Sequence, residues 1–466
     1  MTTSTRRSTG FTRQLADWLA SRPRSHSPQA IDTAERVVVD TVACMAAGMR
    51  DEAAVRLMQG LAHWGRQGQA SVIGGNEPLD APWAALVNGT AAHALDYDDV
   101  LDPAASHVSA VLVPALLALA EECKADGAAL VDAYICGVDV QMCLARAVNM
   151  AHYTQGWHTT STLGAPAAAA ACARLLGLDA RACLHALSIA TSLSGGFKRQ
   201  FGTHAKPLHA GLAAKHGIMA ARIAQAGLTA DAEPFEGARG FHDLMASQAP
   251  GFAGALRGIE DGPAVLAPGV WQKRYPCCAS THRAVDAVRA LMREHGLGPA
   301  DIVGIETSVS EPAVRNLMYD RPENPMQARF SMPYCVAAAV IDGDLGLSVF
   351  TPAALARADL AAFLPKVRMV SDPAQPADMP ATVISWADVT VATRTASYSR
   401  RITIPKGYPG NPLSEPELEA KFQDCLAFSD ARLPDLSYAA WRRIGSASDV
   451  AGACRGLRAP AAGPRP

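Results

Sequence analysis

A chain of 466 residues, 49% apolar and 18% charged, has enough material for two or three domains with large cores and lacks the composition of a disordered protein. Its 42 Lys and Arg against 44 Asp and Glu leave a formal net charge of −2, so there is no electrostatic basis for nucleic-acid or membrane-surface binding; an acidic ligand must be met by local positive charge. No apolar run was found that reaches the ~20 residues of a membrane span, and the 11 cysteines, scattered from Cys44 to Cys454 without a CxxC pair, read as buried thiols of a reducing compartment. The expected location is the cytoplasm.

Residues 1–24 are rich in Ser, Thr and Arg, with no acidic residue before Asp17, a composition shared with organelle transit peptides. The spacing of Phe11, Leu15, Trp18 and Leu19 reads more simply as a first folded helix. From Asp32 to Ala230 small and aliphatic residues dominate, as in Val113 to Glu122, Ala165 to Leu176 and Ala210 to Ala226. Alanine has the highest helix propensity and lets helices approach closely, so this region is expected to be all-α, with Gly127, Gly177 and Gly227 at helix ends. Near Pro263 the texture changes. Ile302 to Ser310 and Asp388 to Thr403 are β-branched and alternating, as half-buried strands are, with helical stretches at Ala284 to Glu294, Met332 to Ile341 and Pro352 to Phe363 between them. A helix over Glu415 to Phe428 is expected to return to the first region. The expected fold is therefore mostly α: a helical domain over 11–265, a smaller α+β domain over 266–405, C-terminal helices over 406–450, and a flexible tail over 451–466.

Three helix starts share one design. His158 stands before the Ala-rich helix, Thr203 and Lys206 flank the start of the helix that follows Pro207, and Lys273, Cys278, Thr281 and His282 crowd the start of an amphipathic helix. Free amide N–H groups and the macrodipole make a helix N-terminus an anion site, and a cation or hydroxyl there adds charge-assisted donors. Pro207 suits the first helical position, which would leave Lys206 just outside. The shared pattern points to a ligand with several carboxylates. A fourth segment, Asn88 to Ser109, packs Asp96, Asp98, Asp99 and Asp102 beside His93 and His107. Crowded carboxylates raise one another's pKa, which suits acid–base chemistry near neutrality. A divalent metal is the rival occupant, without HExxH or other regular ligand spacing to support it, and no metal is expected. The dinucleotide fingerprint, the phosphate loop, the GxSxG elbow and cysteine sets for iron–sulfur clusters are all missing.

These four segments carry a family resemblance. Asn88-Gly-Thr-Ala-Ala-His-Ala-Leu-Asp-Tyr-Asp-Asp99 resembles the NGxxxHxLDxDD hallmark of MmgE/PrpD proteins, and Gly156-Trp-His158, Lys206-Pro-Leu-His-Ala-Gly211, Lys273-Arg-Tyr-Pro276 with Thr281-His282, and Gln327-Ala-Arg-Phe-Ser-Met-Pro-Tyr334 resemble further family segments in order. The family includes 2-methylcitrate dehydratase, cis-aconitate decarboxylase and iminodisuccinate epimerase. The resemblance implies a large helical domain plus a smaller α+β lid, a homodimer, no cofactor, and a site between the two domains. It also implies active-site positions for Asp96, His107, His158, Lys206, Lys273 and Tyr334. Cys278 stands where the animal decarboxylases have a histidine, and His107 is followed by Val108 where the family often has proline. Those departures count against a cis-aconitate decarboxylase.

The expected chemistry is removal of a proton alpha to a carboxylate of a small polycarboxylate. Lys206, Lys273, Thr203, Cys278, Thr281 and His282 would bind, and Asp96, His107, His158 and Tyr334 would carry the proton work. Loss of a β-hydroxyl would make the protein a dehydratase; reprotonation on the other face would make it an epimerase of an aminodicarboxylate. A binding protein without catalysis is the third reading. It is disfavoured because Asp96, Asp98 and Asp99 would weaken simple anion binding.

Overall fold

The computed structural model describes residues 10–62, 68–375, 385–429, 433 and 435–459. The chain is mostly helical, with one small sheet. The long helices are α1 (Phe11–Ser21), α2 (Pro28–Gly48), α3 (Ala81–Ala94), α4 (Ser109–Cys123), α5 (Gly127–Val148), α6 (Gly164–Leu175), α7 (Ala180–Ser192), α8 (Ala205–Gln225), α9 (Ala279–His295), α10 (Met332–Asp342) and α11 (Glu415–Ser429), followed by the short α12 (Val450–Arg455). α1 buries Phe11, Leu15 and Leu19, the face its apolar spacing specifies. Gly177 and Gly227 close α6 and α8 with positive φ, whereas Gly127 opens α5 behind the Asp126 cap rather than ending a helix. α5 is also long and apolar enough to cross a membrane by composition, but 89% of its most apolar stretch is buried inside the protein. A core helix of a soluble fold passes that test equally well.

Small residues decide how the site-bearing helices meet. A Cβ on Gly89 of α3 would lie 2.9 Å from the Cα of Gly211 in α8, and a Cβ on Gly211 would lie 2.1 Å from the Leu86 carbonyl oxygen. Glycine at both positions lets the two backbones touch, which brings the chain after α3 against the start of α8.

Among the described residues two large hydrophobic cores result, beside a small cluster of Ala169, Ala190 and Ala220. The larger runs through α1 to α8 and takes in Leu418, Phe422 and Cys425 of α11, which packs on α2. The smaller is built by α9, α10 and the sheet. That sheet has the order β2-β1-β3-β4, from β1 (Ile302–Val309), β2 (Val367–Ser371), β3 (Ala387–Thr393) and β4 (Ser397–Ile402), with β1 and β2 parallel and the other pairs antiparallel. The alternation read as a single stretch from Asp388 to Thr403 is a hairpin, because Thr393 N–H bonds to the Ala396 carbonyl and turns the chain. Five-residue β2, Val-Arg-Met-Val-Ser, was too short to signal itself. Ala387, Val389 and Val391 of β3 bury one face, and Val285 and Val288 of α9 lie in the same core. Pro352 to Phe363 forms two short helices, Pro352–Leu355 and Ala358–Phe363, rather than one.

The tail also departs from expectation. α12 buries Val450 and Cys454, Leu457 is buried after it, and Gly74 N–H bonds to the Leu457 carbonyl. Apolar residues at helical spacing were enough to anchor residues that an Ala/Gly composition suggested would be loose. Residues 460–466 lie outside the described part.

Candidate active site

α3 ends at Ala94, and Asp96 takes a left-handed backbone with φ 52. Aspartate tolerates this conformation better than most residues, and such strain clusters where a side chain must be aimed. Here it aims the Asp96 carboxylate between two ammonium groups. Lys206 Nζ donates to Oδ1, and Lys273 Nζ donates to Oδ2 at 3.0 Å and to the Asp96 carbonyl at 2.8 Å. Lys206 is the second residue of α8, inside the helix rather than before it, because Ala205 takes the first position. Lys273 is held in register by a two-way backbone bridge between Val100 and Trp271. All three side chains are buried.

Burial alone would push the Asp96 carboxyl up, but Lys206 and Lys273 outweigh it and hold the group well below its ordinary 3.8. For Lys273 burial would depress the ammonium, and Asp96 and Asp98 reverse that and raise it. Asp96 and Lys273 are therefore both charged at neutral pH.

Beside it lies a group of imidazoles. His93 Nδ1 stands 2.7 Å from Asp98 Oδ2, and His107 Nδ1 stands 3.3 Å from the same oxygen. Burial would raise Asp98, yet His93 and His107 hold it well below the ordinary range. Burial lowers His93 to about 3 and lowers His107, against the pull of Asp98 in each case. The consistent state is a neutral His93 donating Nδ1–H to an ionised Asp98. His107 Nδ1 faces the same oxygen without a formed hydrogen bond, and a neutral ring protonated there would present Nε2 as an acceptor. His158 is lowered chiefly by burial and then by His93 and Lys206; its Nδ1 is 3.0 Å from His209 Nδ1. The His93 ring lies 4.4 Å from His107 and 5.8 Å from His158, centre to centre.

One cavity of about 210 Å³ touches Asp96, His107, His158, Lys206, Lys273 and Cys278. Thus the six residues from three helix starts and the acidic segment share one enclosure. Phe201 and Phe330 also line it, with Lys206 Nζ 5.6 and 5.1 Å from their ring centres. These rings dry the wall behind the ammonium.

Four other sequence choices lie elsewhere. Tyr334 is 1% exposed in the smaller core and donates its hydroxyl to the Val349 carbonyl at 2.6 Å. Its ring faces inward because the preceding Ser331 caps α10 and fixes the helix register. Thr203 is exposed and bonds to the Gln200 carbonyl at 2.8 Å, beside a different cavity. Thr281 donates to the Cys278 carbonyl at 2.8 Å and touches Cys277 Sγ at 3.0 Å. His282 is buried edge-on to Trp271 and Tyr275. None of the four lines the cavity.

Donor atoms of His93, Asp96, Asp98 and His107 fall within 4.8 Å of one another, a grouping that could hold a metal ion. Two lysine side chains already flank the Asp96 carboxylate, so a divalent ion there would meet like charge, and the set serves better as an anion and proton site.

The family models for the MmgE/PrpD N-terminal domain and the MmgE/PrpD C-terminal domain match residues 13–252 and 275–434. The chain belongs to the MmgE/PrpD family. Among MmgE/PrpD proteins it is similar to the cis-aconitate decarboxylase of Homo sapiens, with 31% identity over 367 residues, 76% of this chain and 75% of that protein. The Mus musculus enzyme of the same name is 31% identical over 364 residues, 74% and 72% of the two chains, and that of Aspergillus terreus 25% identical over 364, 73% and 74%.

Sequence reading of this MmgE/PrpD chain placed Asp98 and His93 in the acidic segment without assigning either a role, and did not single out His209, which faces His158, or Arg283, which lines the cavity. Asp98 and His93 stood inside the quoted motif, and their mutual contact five residues apart follows from the sharp turn at Asp96, which nothing in residue type announces. Arg283 next to His282 was visible only as one charge on an amphipathic helix.

Proposed function

We propose that the protein is a lyase that removes the proton alpha to a carboxylate of a small hydroxy-polycarboxylate of the 2-methylcitrate type and eliminates water. The observation that carries this reading is the charged Lys206–Asp96–Lys273 cluster opening into the same cavity as neutral His107 and His158.

An ammonium has three N–H donors. Lys206 spends one on Asp96 and Lys273 spends two within the protein, so both retain donors for a substrate carboxylate. As the α-proton leaves, negative charge moves onto that carboxylate, and donors already in place there stabilise the enolate-like state. His107 takes the proton on Nε2, the imidazolium is held by Asp98, and the same proton passes to the departing β-hydroxyl. Water leaves, a double bond forms, and every protein group returns to its starting state. His158 donates to the substrate's oxygens and orients them.

The names of the relatives favour a second reading, decarboxylation of cis-aconitate. In that reaction bond cleavage releases carbon dioxide from the carboxylate and His107, charged beforehand, protonates the carbon left behind. Epimerisation of an aminodicarboxylate uses the same abstraction without a leaving group. Proton NMR with 2-methylcitrate, citrate, cis-aconitate and iminodisuccinate separates these outcomes. We expect a new vinylic or allylic signal from a hydroxy acid. Carbon dioxide release from cis-aconitate, or loss of configuration in iminodisuccinate, would replace this reading with one of the others. Tight calorimetric binding with no reaction of any compound would make the protein a binder.

A further inference from the structure

We propose that the catalytic cavity contains a separate carboxylate subsite, formed by Arg283 and the first turn of α9, that selects substrates carrying a third acidic arm; this rests on the polycarboxylate reading above. Arg283 is only 7% exposed, yet it lines the cavity and has no carboxylate within ion-pairing distance among the described residues. Its Nε–H is spent on the Thr403 carbonyl at 2.8 Å. Its two terminal nitrogens have no hydrogen-bond partner among the described residues, while the planar group is held near Trp271 and Tyr408, 5.6 and 6.0 Å from the ring centres. A buried guanidinium fork without an acidic partner is poised for the two oxygens of a carboxylate.

The helix adds to this. Ala279, Ser280 and Arg283 fall on one face of α9 at helical spacing and all line the cavity. The N-cap residue Cys278 gives this 17-residue helix no hydroxyl or carboxylate cap, and the Ser280 amide meets only its thiol. Counting formal charges on the cavity wall, Lys206, Lys273 and Arg283 face Asp96 and Asp102. Asp102 and Asp286 are the carboxylates whose charge reaches Arg283, neither within ion-pairing distance, and the Tyr408 hydroxyl approaches Asp102 at 3.4 Å. The Lys pair is already shared with Asp96; Arg283 is the cation of the wall whose fork is uncommitted.

Isothermal calorimetry on the full chain with tricarballylate and succinate, which differ by one carboxymethyl arm, tests the assignment. Arg283→Met should weaken tricarballylate tenfold or more and succinate less than twofold, and Arg283→Lys should recover part of the loss. Should Arg283→Met fail to fold, Arg283→Lys alone must lower the tricarballylate-to-succinate preference at least threefold. Equal weakening of both probes, or no change in either, overturns the subsite. Wild-type protein that binds neither probe, or Lys206→Met that binds both normally, overturns the polycarboxylate reading instead, with or without the subsite.

Discussion

Two buried lysine–aspartate clusters lie close together in this protein and do different work. Lys421 of α11, 3% exposed at its side chain, stands 2.7 Å from Asp40 Oδ1 and donates to the Tyr97 and Lys273 carbonyls at 2.9 and 3.0 Å. Two carbonyls and the Asp40 ion pair thus engage the ammonium with protein on three sides. In the Lys206–Asp96–Lys273 cluster donors remain over, and they face a cavity. The acids differ in the same sense. Burial pushes Asp40 up despite Lys421, whereas the two lysines around Asp96 overcome burial and hold it down. A satisfied buried pair is a brace: Lys421 pins the carbonyls of Tyr97 and Lys273 and joins α11 to the Lys206–Asp96–Lys273 cluster. A pair with spare donors is equipped to hold an anion. Burial and charge are alike in both; unspent hydrogen-bonding capacity separates them.

The comparison can be broken by removing each lysine in turn. Lys421→Met should cost about 3–5 kcal/mol of stability, because Asp40 is left buried without its partner; urea unfolding measures it. A smaller loss would mean that the brace is ornamental. Lys206→Met should leave the unfolding free energy within about 1 kcal/mol of wild type, since Asp96 keeps Lys273. It should lower kcat/KM about 10–150-fold, the worth of one charged donor at ~1.5–3 kcal/mol. Equal destabilisation by both variants would erase the distinction. The pH profile sharpens it further. Burial lowers His107 from 6.5, so the base form persists as pH falls, and the acid limb of kcat/KM should lie below pH 6.5. A limb above that value would assign proton removal to another group. Least affected should be Tyr334→Phe, which loses one buried hydrogen bond, about 0.5–1.5 kcal/mol of stability, and changes kcat/KM less than twofold.

Much of this was legible in the sequence because the residues that line the cavity are crowded into short motifs. The Ala-rich helices announced themselves through composition, and Lys206, Lys273, His107, His158 and Asp96 through their places beside helix starts. Tyr334, Thr281 and His282 stood in equally suggestive places but turned inward, since a helix start has an outer and an inner face and residue type does not say which is which. Thr203 lies on the exposed side of the turn before α8, away from the cavity. Hidden altogether were the contacts between distant segments: Lys421 on Tyr97 and Lys273, and the Val100–Trp271 bridge that sets Lys273 against Asp96. These depend on how separate parts of the chain meet, and no local pattern encodes them.

Deuterium incorporation at the carbon alpha to the substrate carboxylate, followed by proton NMR in deuterated buffer for wild type and His107→Ala, bears most directly on the central claim. The account predicts that wild type exchanges or eliminates this proton in a small polycarboxylate and that His107→Ala slows the exchange at least a hundredfold with binding retained. Exchange at the wild-type rate in His107→Ala would contradict it.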